Sequence, residues 1–178
     1  MPKPFFIKKS DIDKIIRIDH AGELGANFIY KGQRKYIDKS YKELIHSMLI
    51  QELEHLEYFE YALRKFHVRP SFLFFFWSNF GYFIGALSSK LSVKSAMLLT
   101  EAIEDVIEEH YQKQKNFLQQ APQLYQELNS KISKFQQDES EHKHIATDFD
   151  INKSLLSKIF FILIQYVCQT SILLSKYI

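Results

Sequence analysis

Over four long stretches of the chain, apolar residues recur at three- and four-residue intervals, and over two shorter stretches charged residues vanish. The four periodic stretches predict helices running roughly 11–39, 41–66, 92–119 and 122–147, because that spacing returns to one face of a 3.6-residue turn. Ser10 followed by Asp13, and Ser40 followed by Glu43, have capping-box spacing and predict the first two helix starts. Ser92 opens the third helix, and Pro122 occupies a first-turn position of the fourth, where its missing N–H costs nothing. The Val68-Arg69-Pro70 run breaks the chain after the second helix. No alternating apolar and polar run asks for a sheet, and no internal repeat has a legible period.

The two uncharged stretches are SFLFFFWSNFGYFIGALSS, residues 71–89, and residues 159–175, the latter flanked by Lys158 and Lys176. Each approaches the roughly 20 residues needed to span a bilayer. Trp77, Asn79, Gly81, Tyr82 and Gly85 weaken that reading for the first. Two additional hydrophobic helices are expected, giving apolar, membrane-facing segments near 71–89 and 155–177, with 71–89 the better candidate. Covering the bundle, or packing on another subunit of a homo-oligomer, is the alternative.

Composition narrows the chemistry. A chain of 178 residues is expected to form one domain, 1–178. Lys+Arg 23 against Asp+Glu 21 leaves a net charge of +2, too balanced for binding a nucleic-acid backbone. Cys168 is the single cysteine, which excludes an intrachain disulfide and any thiolate metal site within one chain. Metal ligands must therefore come from histidine and carboxylate. The opening MPKPFFIKKSDIDK lacks the sustained apolar stretch of a secretory signal, so no export is expected.

Glu-x-x-His puts a carboxylate and an imidazole one turn apart on a helix, where both can reach one metal ion. It occurs four times, at Glu43/His46, Glu52/His55, Glu139/His142 and Glu141/His144. Phase separates them. Glu52 and His55 share a stripe with Ile45, Met48, Phe59 and Ala62, and Glu139 and His142 share one with Leu128, Ile132, Phe135 and Ala146; the other two pairs lie on opposite faces. The first and third helices each embed one carboxylate in an apolar stripe, Glu23 with Ile12, Ile16 and Tyr30, and Glu104 with Val93, Met97 and Tyr111. Glu101 and Glu108 lie near the Glu104 face, and Asp19 and His20 near Glu23, as surface groups or groups around the ligands. One Glu from each of two helices and a Glu-x-x-His from each of two others is the ligand set of ferritin-like di-iron and di-manganese proteins. The fold class is therefore read as all-α, a ferritin-like four-helix bundle with two added hydrophobic helices. Four carboxylates neutralise two divalent ions, and these ligand types suit iron or manganese alike.

The segment Ile16-Arg17-Ile18-Asp19-His20-Ala21-Gly22-Glu23-Leu24-Gly25-Ala26-Asn27 resembles the opening signature of the demethoxyubiquinone hydroxylases. Gln51-Glu52-Leu53-Glu54-His55-Leu56, Val68-Arg69-Pro70, Glu109-His110-Tyr111 and Asp138-Glu139-Ser140-Glu141-His142 extend the likeness over nearly the whole chain. The resemblance implies two iron ions held by the same six residues: Glu23, Glu52, His55, Glu104, Glu139 and His142. It also implies hydroxylation of a 2-polyprenyl-3-methyl-6-methoxy-1,4-benzoquinol with O2, and an external electron donor, NADH or a reductase. A membrane-bound substrate fits a protein on the cytoplasmic face of a bacterial inner membrane, or on the matrix side of the mitochondrial one. His110 and Tyr111 match family positions near the metal and are candidates for orienting ligands, touching substrate or delivering electrons. Helical phase favours Tyr111, two turns beyond Glu104, over His110. Two readings from other classes stay open, a ferroxidase or iron-storage protein and a metal-free helical membrane adaptor.

Overall fold

In the computed structural model, residues 7–121, 123–149 and 154–177 are described. Six α-helices account for nearly all of them: α1 Lys9–Tyr36, α2 Lys42–Phe66, α3 Phe74–Leu91, α4 Val93–Leu118, α5 Gln126–Thr147 and α6 Leu155–Ser175. The architecture is an all-α, ferritin-like bundle with no strand among the described residues. α1, α2, α4 and α5 form the bundle, and α3 and α6 lie outside it against α1 and α4.

Several predicted ends shift. Ser10 lies inside α1, whose N-cap is Lys8 without a side-chain cap; Asp13 instead pairs with Lys9 at 3.0 Å. Asp38, not Ser40, supplies the cap before α2, accepting from Ser40 N at 2.9 Å in the 3-10 turn Lys39–Tyr41. α1 also stops at Tyr36, because Ile37 turns into extended backbone and buries its side chain. The fourth bundle helix begins at Gln126, and Pro122 lies outside the described residues. The serine caps of the remaining helices form: Ser92 Oγ accepts from Ser95 N, and Ser154 Oγ from Ser157 N. α2 ends where His67 adopts the left-handed conformation, φ 55°, and Val68 N–H reaches back to Leu63 O. Arg17 ties this break to the rest by donating to the carbonyls of Arg69 and Lys176.

The bundle core comes in two separate apolar clusters. One holds Ile12, Ile16, Phe59, Tyr111, Ile132 and Phe135; the other holds Tyr30, Ile45, Met48, Met97 and Ala146. On every bundle helix the buried Glu or Glu-x-x-His lies between residues of these two clusters. A polar layer is thus sealed from both ends of the bundle.

α3 is pressed onto α1 by exchange of glycines. A Cβ on Gly81 would lie 2.8 Å from Gly25 O, one on Gly85 would strike the Ile29 backbone, and one on Gly32 would strike the α3 backbone at Tyr82 and Ala86. These pairings run in the same order along both helices, so α3 is parallel to α1. The outer faces of α3 and α6 remain apolar and exposed, including Phe75, Phe83, Leu156 and Ile162. Among the described residues, α6 alone is long and apolar enough to cross a membrane, and almost none of it is buried.

Candidate metal centre

Each bundle helix delivers its polar residue inward because that residue shares the phase of the apolar stripe. Glu23, Glu52, His55, Glu104, Glu139 and His142 are all at most 3% exposed. By contrast, Glu43, Glu141 and His144 are exposed and His46 is half-buried. The six residues meet as two groups, Glu23-Glu52-His55-Glu139 and Glu52-Glu104-Glu139-His142, with the ligating atoms of each within 4.8 Å of one another. Glu52 and Glu139 belong to both groups.

The surroundings of the two groups are related by an approximate two-fold exchange of α1–α2 with α4–α5. Tyr30 of α1 donates to Glu104 Oε1 at 2.7 Å, and Tyr111 of α4 donates to Glu23 Oε1. Each tyrosine stands two turns beyond its own helix's glutamate and serves the other's. In the same crossed manner His142 Nε2 pairs with Gln51 Oε1 at 2.8 Å, and His55 Nε2 with Asp138 Oδ2 at 3.1 Å. The residue before each Glu-x-x-His therefore backs the histidine of the opposite helix. Both imidazoles turn Nδ1 to the centre: His55 Nδ1 is 3.1 Å from Glu139 and 3.4 Å from Glu23, and His142 Nδ1 is 3.2 Å from Glu139 and 3.3 Å from Glu52. Sequence reading missed Tyr30, Gln51 and Asp138 as partners of the site, although the quoted motifs already contained Gln51 and Asp138.

Electrostatics shows what the carboxylates demand. Burial pushes Glu52 up to about 8, and the charge of Glu139 adds to it. Glu104 is raised by burial and by Glu139 and Glu52. Burial acts against the histidine cations, yet Glu139 and Glu23 raise His55 to about 12, and Glu139 and Glu52 raise His142 to about 11. Burial would raise Glu139 as well, but its bonds to His142 and His55 hold it at about 2. Burial and the adjacent carboxylates raise both Tyr30 and Tyr111, which stay neutral and donate.

The residues fit a pair of divalent cations. Without ions the site nears neutrality only by keeping protons on Glu52 and Glu104 beside two protonated imidazoles; ionising all four carboxylates, as a ligand set requires, would leave negative charge uncompensated in a desolvated interior unless cations were bound. Glu23 Oε2, both Glu52 oxygens and His55 Nδ1 also make no aligned hydrogen bond, although Glu23, Glu52 and His55 have ion-pair neighbours at 3.1–3.4 Å. These are atoms that ions would satisfy.

Of the two further candidates, Tyr111 is fully buried and touches Glu23, whereas His110 faces away into another polar cluster. There Gln114 Nε2 donates to Asp19 Oδ1 at 2.7 Å and to His110 Nε2 at 2.8 Å. Asp19 is buried, and burial raises its pKa; His20, also buried, is lowered for the same reason. Glu108 pairs with Lys143 at 2.9 Å, and Glu101 is buried on α4.

Between α1, α3, α4 and α6 lies an apolar cavity of about 110 Å³, walled by residues such as Ile29, Phe80, Ile103 and Ile164. Glu23, Glu104 and Glu139 also line it, so this apolar space reaches the carboxylates.

The family model described as ubiquinone biosynthesis protein COQ7 matches residues 10–175. A human protein named NADPH-dependent 3-demethoxyubiquinone 3-hydroxylase, mitochondrial, is 37% identical over 172 residues, 96% of this chain and 79% of the relative. The 5-demethoxyubiquinone hydroxylase, mitochondrial, of Saccharomyces cerevisiae is 32% identical over 176 residues, 90% of this chain and 76% of the relative. The 3-demethoxyubiquinol 3-hydroxylase of Rhodospirillum rubrum is 35% identical over 139 residues, covering 76% and 63% respectively. Matched from its first helix to its last, the chain belongs to the ubiquinone biosynthesis protein COQ7 family.

Proposed function

We propose that this protein is an O2-dependent monooxygenase that hydroxylates the ring of a 2-polyprenyl-3-methyl-6-methoxy-1,4-benzoquinol in ubiquinone biosynthesis. Two iron ions would be held by Glu23, Glu52, His55, Glu104, Glu139 and His142. The observation that carries the reading is the apolar cavity whose lining includes three of those carboxylates. A ferroxidase or an iron store has no need of such a space, whereas a prenylated quinol does.

When bound, the irons supply the oxygen and redox chemistry: one atom of O2 enters a ring C–H bond, the other leaves as water, and two electrons come from an external donor. The human relative's name mentions NADPH, which supports a reduced nicotinamide as the ultimate donor, directly or through a reductase. The chain's own residues have narrower tasks. Glu52 and Glu139, common to both groups, would be shared between the two ions. Tyr30 and Tyr111 each hold one oxygen of Glu104 and Glu23, leaving the other oxygen to ligate. Gln51 and Asp138 accept from Nε2, which leaves the Nδ1 lone pair of each imidazole facing inward. The cavity walls exclude water from the reacting ring.

The exposed apolar faces of α3 and α6 suit a protein resting on a membrane surface, where such a substrate resides. α3 spends one face on α1, and α6 is the less committed of the two.

The test is an anaerobic ferrous titration followed by O2, reductant and a short-tailed demethoxyquinol, with iron per chain and product mass both measured. About two irons and a product one oxygen atom heavier are expected for a ferritin-like di-iron site. Oxygen consumption without product, beside a competent control enzyme, would favour a ferroxidase; failure to take up stoichiometric iron would sink the reading.

Metal uptake is expected to strengthen as pH rises. Without ions His55 and His142 hold protons up to about 12 and 11, and an incoming ion must displace them. Below about 8 Glu52 holds a further proton, so the dependence is steeper below that pH than above it. Titration calorimetry in buffers of different ionisation enthalpy reads the protons released; a pH-independent affinity would contradict this proton inventory.

A further inference from the structure

We propose that Gly22 and Gly25 form a notch in α1 that seats the flat quinol ring, with the Trp77 indole N–H donating to one ring oxygen. The proposal rests on the hydroxylase reading and names the part of the cavity that selects the ring. Among the α1 residues that line the cavity, beside Ala21, Glu23 and Ala26, the set Ile18, Gly22, Gly25 and Ile29 forms a stripe at helical spacing whose two central side chains are reduced to hydrogen. Both glycines sit inside a helix, where glycine is a poor choice for stability. The usual reason for a helical glycine is close approach of a neighbour. Gly32, Gly81 and Gly85 have that reason, since a Cβ on each would collide with backbone; Gly22 and Gly25 do not, since a Cβ on either meets nothing within 4 Å. Their missing methyls therefore leave open space in the cavity wall, beside Glu23 in the sequence.

One buried polar atom on the same cavity lacks a partner and has no place among the metal ligands, Trp77 Nε1. An indole N–H is a donor only, and a buried unpaired donor asks for an acceptor. An aliphatic chain offers none, whereas a quinol ring carries hydroxyl and methoxy oxygens. The volume of about 110 Å³ is of the order of the engineered apolar cavities that take up benzene. It suits one ring, with the prenyl tail outside.

Trp77 is the only tryptophan in the chain, so its emission reports on this cavity directly. The full-length, iron-loaded protein is titrated with a short-tailed demethoxyquinone, which quenches indole fluorescence on contact. Wild type is expected to show saturable quenching. Gly22→Ala and Gly25→Ala should weaken it about tenfold or more, the size of effect of 1.4 kcal/mol or more in binding, while melting at or above the wild-type temperature. Trp77→Phe should raise KM by several fold and leave kcat nearly unchanged. Wild-type affinity in both glycine variants would overturn the seat, as would absence of saturable quenching in the wild type. The two readings fail separately. Quenching that the alanines abolish, without hydroxylation by the wild type, keeps the seat and removes the hydroxylase; hydroxylation with unchanged KM in both alanine variants does the reverse.

Discussion

Glu139→Ala is expected to lose both irons and all hydroxylation, while Glu23→Ala and Glu104→Ala each retain about one iron per chain. The difference follows from geometry: Glu139 and Glu52 belong to both groups of ligands, whereas Glu23 and Glu104 belong to one group each. Glu52→Ala should therefore behave as Glu139→Ala does. In the metal-free protein Glu139 also faces both imidazoles, at 3.1 and 3.2 Å. Removing it takes one carboxylate from both buried imidazoles while Glu23, Asp138 and Glu52 remain beside them, so a stability loss below the roughly 3–5 kcal/mol of a fully broken buried pair accompanies the loss of metal. Glu139→Gln keeps the volume and separates the two effects, since it removes the charge without opening a cavity. Gln51→Ala and Asp138→Ala remove only the group behind an imidazole, and their cost is the milder one of an outer partner, roughly 10–100-fold in metal affinity. Iron per chain by mass spectrometry, read beside thermal melting, checks the series. Two irons retained by Glu139→Ala would show that the shared carboxylate is not a bridge.

The second large effect lies away from the polar residues. Gly85→Ala is expected to destabilise the protein by about 1–3 kcal/mol, the usual range for overpacking, and Gly85→Val by more. The added Cβ would meet the Ile29 backbone, with Cα and carbonyl carbon at 2.9 and 2.8 Å, and backbone cannot rotate aside as a side chain can. For a chain of this size each kcal/mol lowers Tm by roughly 2–4 °C. Gly32→Ala should act alike from the other side of the contact. Gly22→Ala and Gly25→Ala provide the internal control: their Cβ atoms meet open space, so the helix gains roughly 0.5–1 kcal/mol. Activity is expected to fall in all four variants for two opposite reasons. In Gly85 and Gly32 variants α3 lifts from α1 and the cavity loses a wall, which amide exchange on α3 should register as faster. An unaltered melting temperature and exchange pattern in Gly85→Val would mean that α3 is not held against α1 by this glycine contact.

α3 and α6 both contribute walls to the apolar cavity. Trp77, Phe80 and Ile84 from α3, and Ile164 and Val167 from α6, form part of its wall. Cys168 is in the same wall, and burial raises its thiol to about 12, which leaves it protonated and packed as an apolar group.

Helical phase is a local property, and what depends on phase alone was legible in the sequence. It separated Glu52/His55 and Glu139/His142 from the two decoy pairs, assigned Glu23 and Glu104 to buried stripes, and marked Tyr111 rather than His110 as the inward residue. The existence of six helices and the apolar character of α3 and α6 followed from composition over windows of a turn or more. Helix ends were less legible, because capping is a contest among neighbours: Asp38 satisfied the N–H of Ser40 that a capping box would have used differently. What only the tertiary structure decided is which inward faces oppose one another. Tyr30 and Glu104 are 74 residues apart, and His142 and Gln51 are 91. A period says that each points inward, and nothing in it says to whom. The same limit hid the two-fold relation, whose halves share their spacing within each helix but not between helices, with 29 residues from Glu23 to Glu52 against 35 from Glu104 to Glu139, and it hid the division of the glycines. Gly85 and Gly22 look alike as letters inside a helix. One has a neighbouring backbone against it and the other an empty space, because packing, a property of pairs of helices, sets the meaning of a missing side chain.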